Sequence, residues 1–261
     1  MKNLILISTL LFAGTLAANA TAPTGTYTDE GGKSQNFKFN EVHYEGRYSY
    51  TLDLSSGTYK NVTINSNDTI SLIRVKIGSG VTFDGFTFNG VRNGIFLDDV
   101  DSVLGGKIEF SNVIDSHIKG KLSSGTHFLI DSNSQVYFYS NVWNIKNTTD
   151  LSQSLIDGTG TVAMNSSDTF TLNFLSAELL KEQTISLVSA DAKIYSSERY
   201  SRFKNIAITV AGQTVEDWFA TQSTDGKTIL ISRAVPEPSM FGLLAGTLAL
   251  ALAGTRRRRR K

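Results

Sequence analysis

Residues 47–54 read Arg47-Tyr48-Ser49-Tyr50-Thr51-Leu52-Asp53-Leu54. Tyr48, Tyr50, Leu52 and Leu54 fall on one side of an extended chain, and Arg47, Ser49, Thr51 and Asp53 on the other. Period two over this length predicts a half-buried β-strand. The pattern repeats outward from there. Strands are predicted at 62–64, 70–77, 81–88, 107–110, 127–130, 135–139, 169–174, 184–188, 206–210 and 227–232. Clusters of Asn, Asp, Gly and Ser separate them, residues that make turns by tolerating left-handed backbone or by bonding their own main chain. Helix signals are short and confined to Ser176–Glu182 and Thr214–Phe219.

A recurrence runs through the first half. The triplets Val62-x-Ile64, Val81-x-Phe83, Ile108-x-Phe110 and Phe128-x-Ile130 suit the rungs of a solenoid, in which each rung buries alternate residues against its neighbours. Thr82-Phe83-Asp84-Gly85, followed by Thr87-Phe88-Asn89-Gly90, is a shorter echo. This stretch resembles the irregular solenoids of autotransporter passengers and other bacterial surface proteins. The expected fold is all-β: an irregular right-handed parallel β-helix over residues 21–160, closed by a C-terminal β cap over 161–234. The cap is expected because a solenoid end must be covered against edge-to-edge association. An antiparallel sandwich, whose strands recur every 8–12 residues, is the competing fold.

The charge of the chain is unevenly placed. It holds 25 Lys and Arg against 24 Asp and Glu, a formal net charge of +1. Lys2 and the six C-terminal residues account for seven of the bases, so residues 21–238 hold 18 bases against all 24 acids. That excess of acid argues against nucleic acid as a partner, which requires a basic face. Cysteine is absent. This excludes disulfides, a thiolate nucleophile and thiolate-ligated metals or clusters.

Both ends read as addresses. Residues 1–20, MKNLILISTLLFAGTLAANA, contain a basic Lys2, an apolar run and Ala18-Asn19-Ala20, the three parts of a secretory signal peptide in order. Residues 240–255 are apolar or small, and Arg256, Arg257, Arg258, Arg259, Arg260 and Lys261 follow directly. Sixteen helical residues reach about 24 Å against a hydrocarbon core of about 30 Å, a gap that thinning and snorkelling close. Gly242 and Gly246 also form a GxxxG spacing. The basic end is expected to stay in the cytoplasm, so the body lies outside. Pro236 and Pro238 bias the segment before the apolar run toward an extended form.

Val235-Pro236-Glu237-Pro238-Ser239, the apolar run and the Arg run together resemble the PEP-CTERM sorting signal of exported bacterial proteins. The resemblance covers residues 235–261. It implies processing by an exosortase after signal peptidase has acted at the other end. It also implies transient residence as a single-pass membrane protein with a helix over 240–255, and a final place at the cell surface or in an exopolysaccharide matrix or biofilm.

No catalytic constellation emerges, and no cofactor is expected. Glu41, His43 and Glu45 would share one strand face and could hold a metal, but such polar triplets also line ordinary solvated sheets. The expected metal site is therefore none. His117 and His127 read as structural. Asp98, Asp99 and Asp101 form the densest acidic cluster, without the glycines and terminal Glu of a calcium loop. Polysaccharide-acting solenoid enzymes use such carboxylates, and this is the alternative to a structural or adhesive protein with no catalysis. Retention as a simple membrane protein is a third reading. Tyr137, Tyr139 and Trp143 are the candidate glycan-binding residues, since exposed aromatic rows stack on sugar rings. An aromatic ladder between rungs gives the same pattern.

Overall fold

The computed structural model describes residues 22–233, apart from 45–46, 67–71, 78–80, 91–94, 98–102, 115 and 198. It is all-β and solenoidal. Among the described residues the only helical turns are the 3₁₀ segments Thr148–Leu151 and Ala177–Leu179, and no helix is long and apolar enough to cross a membrane. Successive strands alternate between two sheets. Arg47–Leu54 is followed by Gly57–Asn65, Leu72–Ile77 by Val81–Asn89, and Ile95–Leu97 by Val103–Ser111. The first members stack in parallel on one another, and so do the second members. This excludes the antiparallel sandwich.

Each second member is bent. Asn61, Gly85 and Gly106 have φ of 48°, 81° and 67°, left-handed values in the middle of otherwise extended strands. The register pairs Lys60 with Asp84 and Val62 with Phe86, which sets Asn61 beside Gly85. A Cβ on Gly106 would lie 2.9 Å from the Gly85 nitrogen, so the bends stack as a column. Each bend also resets the alternation. Val81 and Phe83 point inward before it, and Phe86 and Phe88 after it, all at 0–1 % exposure. A rung therefore presents three faces: the first from Arg47–Leu54 and its mates, the second before the bend and the third after it.

This geometry corrects the recurrence read from the sequence. The rung mate of Val62 and Ile64 is Phe86 and Phe88, and Val81 pairs with Gly57. The echo around Gly85 lies within one rung, either side of a bend. Along the third face, Val62, Phe86, Ile108, Phe128 and Ile156 follow one another at 24, 22, 20 and 28 residues. Their side chains form an unbroken inward column at 0–1 % exposure. Burying each such side chain contributes roughly 1.5–3 kcal/mol.

Parallel stacking does not stop at residue 160. Gln135–Phe138 pairs in parallel with Thr161–Asn165, Val142–Ile145 with Phe170–Phe174, and the last of these with Ile206–Val210. The largest antiparallel element of this region is a three-stranded sheet of Gln183–Ser186, Thr228–Arg233 and Trp218–Gln222. The helical signal at 214–219 forms no helix. Val215 and Trp218 pack against the core instead, and Trp218 starts a strand. Tertiary burial overrides local propensity there.

The opposite end is also closed. Thr24–Thr28 pairs antiparallel with Gly57–Asn65 and with Ser34–Asn36, and Asn40–Tyr44 pairs antiparallel with Arg47–Leu54. Tyr27 stacks on Phe37 at 4.7 Å and meets Tyr59 edge-on at 5.0 Å, and Tyr59 leads to Phe83 at 6.2 Å. The aromatic stack covers the first rung. Gly25 permits it, because a Cβ there would sit 2.9 Å from the Phe37 ring.

Candidate functional site

The outer side of the first face carries a cluster of aromatic and cationic side chains. Register sets Phe96, His117, Tyr137 and Ala163 in one row across successive rungs. Two residues further along, Tyr139 follows Lys119, its amide donating to the Ile118 carbonyl. His117, Lys119, Tyr137 and Tyr139 point outward because Ile118, Val136 and Phe138 occupy the alternate, inward positions at 0 % exposure.

A late segment then lies across the row. Tyr200–Ser201 pairs antiparallel with Met164 and Asn165. This brings the Tyr200 ring to 4.2 Å from Tyr137 and its hydroxyl to 2.8 Å from that of Tyr139. His117 packs on Tyr139 at 4.9 Å and edge-on to Tyr137 at 5.5 Å. Tyr195 meets Tyr137 edge-on at 6.3 Å. The Lys119 ammonium stands 5.7 Å from the Tyr139 ring centre, and the Arg199 guanidinium 5.3 Å from that of Tyr200. Each is a cation–π approach.

The cluster has an inside and an outside. Tyr137 and Tyr139 are each 6 % exposed, whereas Tyr195 is 40 % exposed and Arg199 is exposed. His117, Lys119 and Tyr200 are half-buried. The surface offered to solvent is therefore an aromatic platform with cations at its edges. Such a platform suits the apolar face of a sugar ring and the anionic group attached to it.

Trp143 is not part of this platform. It lies in the core at 1 % exposure, between Leu122 and Leu172 in the second-face column, and its indole N–H finds no acceptor among the described residues. Tyr137 and Tyr139 lie together, and Tyr200 covers them. Reading by sequence missed His117, Lys119, Tyr195, Arg199 and Tyr200 as members. The signal for His117 was present, since it precedes Tyr137 by one rung of 20 residues. Tyr200 carried no such signal, because it arrives antiparallel through a long insertion.

Asp98, Asp99 and Asp101, Glu45, and the sorting residues 235–239 and 256–261 lie outside the described residues, as does the side chain of His43. Glu41 is exposed. His127 Nδ1 donates to the Ser154 carbonyl at 3.0 Å, and its Nε2 lies 3.5 Å from Asp157. Asp131 accepts from Ser111, Asn133 and Ser134 and from the Asn112 amide, so it staples a turn between rungs. Among the described residues no group of three His, Asp or Glu side chains is placed to hold a metal ion. No known protein family, curated protein or solved structure matches the chain.

Proposed function

We propose that the chain is an exported bacterial surface or matrix protein of the PEP-CTERM type, with a structural or adhesive body. The observation that carries this reading is the order of features from Val235 to Lys261: a proline-flanked motif, a short apolar run and a basic end. In this reading residues 1–20 are a signal helix removed by signal peptidase. Residues 240–255 are a membrane helix, and an exosortase acts near residues 236–239. The body is a right-handed parallel β-helix that reaches the cell surface or an exopolysaccharide matrix, and it performs no catalysis.

Intact mass of the surface-exposed protein from an exosortase-containing host tests the tail. The expected C-terminus falls near residues 236–239, and mature protein that still carries Lys261 overturns the sorting reading. Neutralising Arg256–Arg260 should impair retention, and Pro236→Ala with Pro238→Ala should leave a longer, membrane-bound form.

The contact we assign to the body is the platform of Tyr195, Tyr200 and Arg199, with an acidic polysaccharide as ligand. Aromatic contacts contribute on the order of 0.5–1.5 kcal/mol each, so Tyr195→Ala with Tyr200→Ala should weaken such binding roughly tenfold. Unchanged affinity for a polysaccharide that the protein demonstrably binds removes the site.

A further inference from the structure

The antiparallel sheet of Gln183–Ser186, Thr228–Arg233 and Trp218–Gln222 has one face in the core and one in solvent. Ile185, Ile229 and Ile231 point inward at 0 % exposure. On the outer face, register sets Thr184, Leu230 and Thr221 in one row, with Phe219 beside Ser232 in the next. Phe219 is 53 % exposed and Leu230 51 %, the two most exposed large apolar side chains among the described residues. Scattered single residues of this kind are ordinary, but two on one face of one small sheet form a patch.

The position of the patch in the chain names its occupant. Thr228–Arg233 is the last described strand, and only the six residues 234–239 separate it from the apolar run that begins at Met240. Six residues reach at most about 20 Å when fully extended. If the apolar run spans a bilayer, this sheet is held within that distance of the lipid surface, and the N-terminal aromatic cap belongs to the other end of the stack. An apolar patch held so close meets the headgroup boundary at high effective concentration.

We infer that the outer face of this sheet, through Phe219 and Leu230, docks on the lipid surface while the tail is in the membrane. Docking sets the body's C-terminal end against the bilayer and places the Val235–Ser239 segment beside it. The inference rests on the reading of the tail as a membrane span.

Because the protein has no cysteine, a single introduced one carries a polarity-sensitive fluorophore at a chosen site. The test uses the full chain in vesicles of phosphatidylethanolamine and phosphatidylglycerol, labelled through Leu230→Cys, Phe219→Cys or, at the far cap, Lys33→Cys. Expected are flotation with the vesicles that survives alkaline extraction, and a blue shift with loss of iodide quenching at 219 and 230 but not at 33. Alkali-resistant flotation with full iodide access at 219 and 230 overturns the docking and leaves the tail reading standing. Failure to float overturns the tail reading, and the docking with it. Equal shielding at 230 with and without vesicles assigns the face to the tail or to a second copy, and so also overturns the docking.

Discussion

Residues 57–111 and residues 121–210 build the same walls in different ways. In the first region each rung runs unbroken through its bend, and one left-handed residue does the turning: Asn61, Gly85 or Gly106. In the second the bend is opened. Lys121–Leu122 and His127–Ile130 are separated by a turn, and Val142–Ile145 and Ile156–Gly158 by a loop that includes the 3₁₀ turn at Thr148–Leu151. Between Phe170–Phe174 and the bridge of Val188 to Ile156 lies a longer insertion that holds the strand Gln183–Ser186. The inward column is indifferent to this: Ile108, Phe128, Ile156 and Val188 still follow one another in register. Burial fixes register, and the bend is where length is free. In the two shorter insertions, side chains supply hydrogen-bond partners for the turns. Thr126 Oγ1 donates to the Leu104 and Ser123 carbonyls, and Asn147 and Asp150 cap each other's turn.

If register rests on close packing even where rungs are interrupted, a single methyl in the opened region should break it. Gly158 has φ 107°, and a Cβ there would lie 2.0 Å from the Ile130 carbonyl oxygen. Backbone cannot swing aside as a long side chain can. Gly158→Ala should cost about 1–3 kcal/mol in backbone strain and about as much again in overpacking. The check is urea unfolding followed by circular dichroism; an unchanged midpoint would mean that interrupted rungs are held more loosely than the column implies.

The two kinds of bend can be set against each other at smaller cost. Gly106 and Gly125 have φ of 67° and 77°, so alanine at either adopts a left-handed backbone at roughly 1–2 kcal/mol. Only Gly106 is stacked: its Cβ would meet Asp84 Oδ1 and the Gly85 nitrogen at 2.9 Å each, while Gly125 has nothing within 4 Å. Gly106→Ala should therefore destabilise more than Gly125→Ala in the same urea series. Equal losses would mean that the stacked bends yield as easily as a free turn.

The same contrast decides what was legible in the sequence. Alternation along a strand is local, so Tyr50, Leu52 and Leu54 could be assigned inward, and they are buried. The step from Ile108 to Phe128 could be read because one rung there spans 20 residues with a compact turn. The step from Val62 to Val81 passes from the third face of one rung to the second face of the next, because the left-handed bend inside each strand resets parity and gives its two halves the same alternation. The N-terminal cap was not foreseen, since its pairing with Gly57–Asn65 is long-range and antiparallel. Trp143 and Tyr137 illustrate the limit for the site. Both are aromatic residues on strands one turn apart, yet one faces the core and the other faces out. The apolar run around Tyr137 blurs the alternation that would have told them apart.

Tyr200 tests how an inserted segment is held when it lands outside the walls. Its hydroxyl shares a hydrogen bond with that of Tyr139, while its ring keeps contact with Tyr137. Tyr200→Phe keeps the ring and removes the hydrogen bond, a loss of about 0.5–1.5 kcal/mol. Faster amide exchange should be confined to residues 195–201, with the column unaffected. Exchange that also quickens across Gln135–Phe138 would make the segment part of the wall.

The smallest effect comes from the two hairpin turns nearest the ends of the stack. Asp29 accepts from the Gln35 side chain and the Lys33 amide, and Asp225 from the Ser223 hydroxyl and the Lys227 amide. Hydrogen bonds to the charged form favour it, so both carboxyls sit below their ordinary value of 3.8. A carboxyl whose pKa falls on folding stabilises the native state above its unfolded value, and that contribution is lost as pH drops through the folded value. Both groups lie in solvent, which keeps the effect small. Carboxyl chemical shifts followed below pH 5 should therefore show both groups titrating late, and Asp29→Asn and Asp225→Asn should each remove part of the stability lost on acidification. The two ends differ in the donor that acts most strongly, the Gln35 side-chain amide at Asp29 and the Ser223 hydroxyl at Asp225. Gln35→Ala should raise the Asp29 midpoint without touching Asp225, and Ser223→Ala should do the reverse. Movement of both midpoints in either variant would mean that the two caps are coupled through the stack, against the finding that register is set locally, column by column.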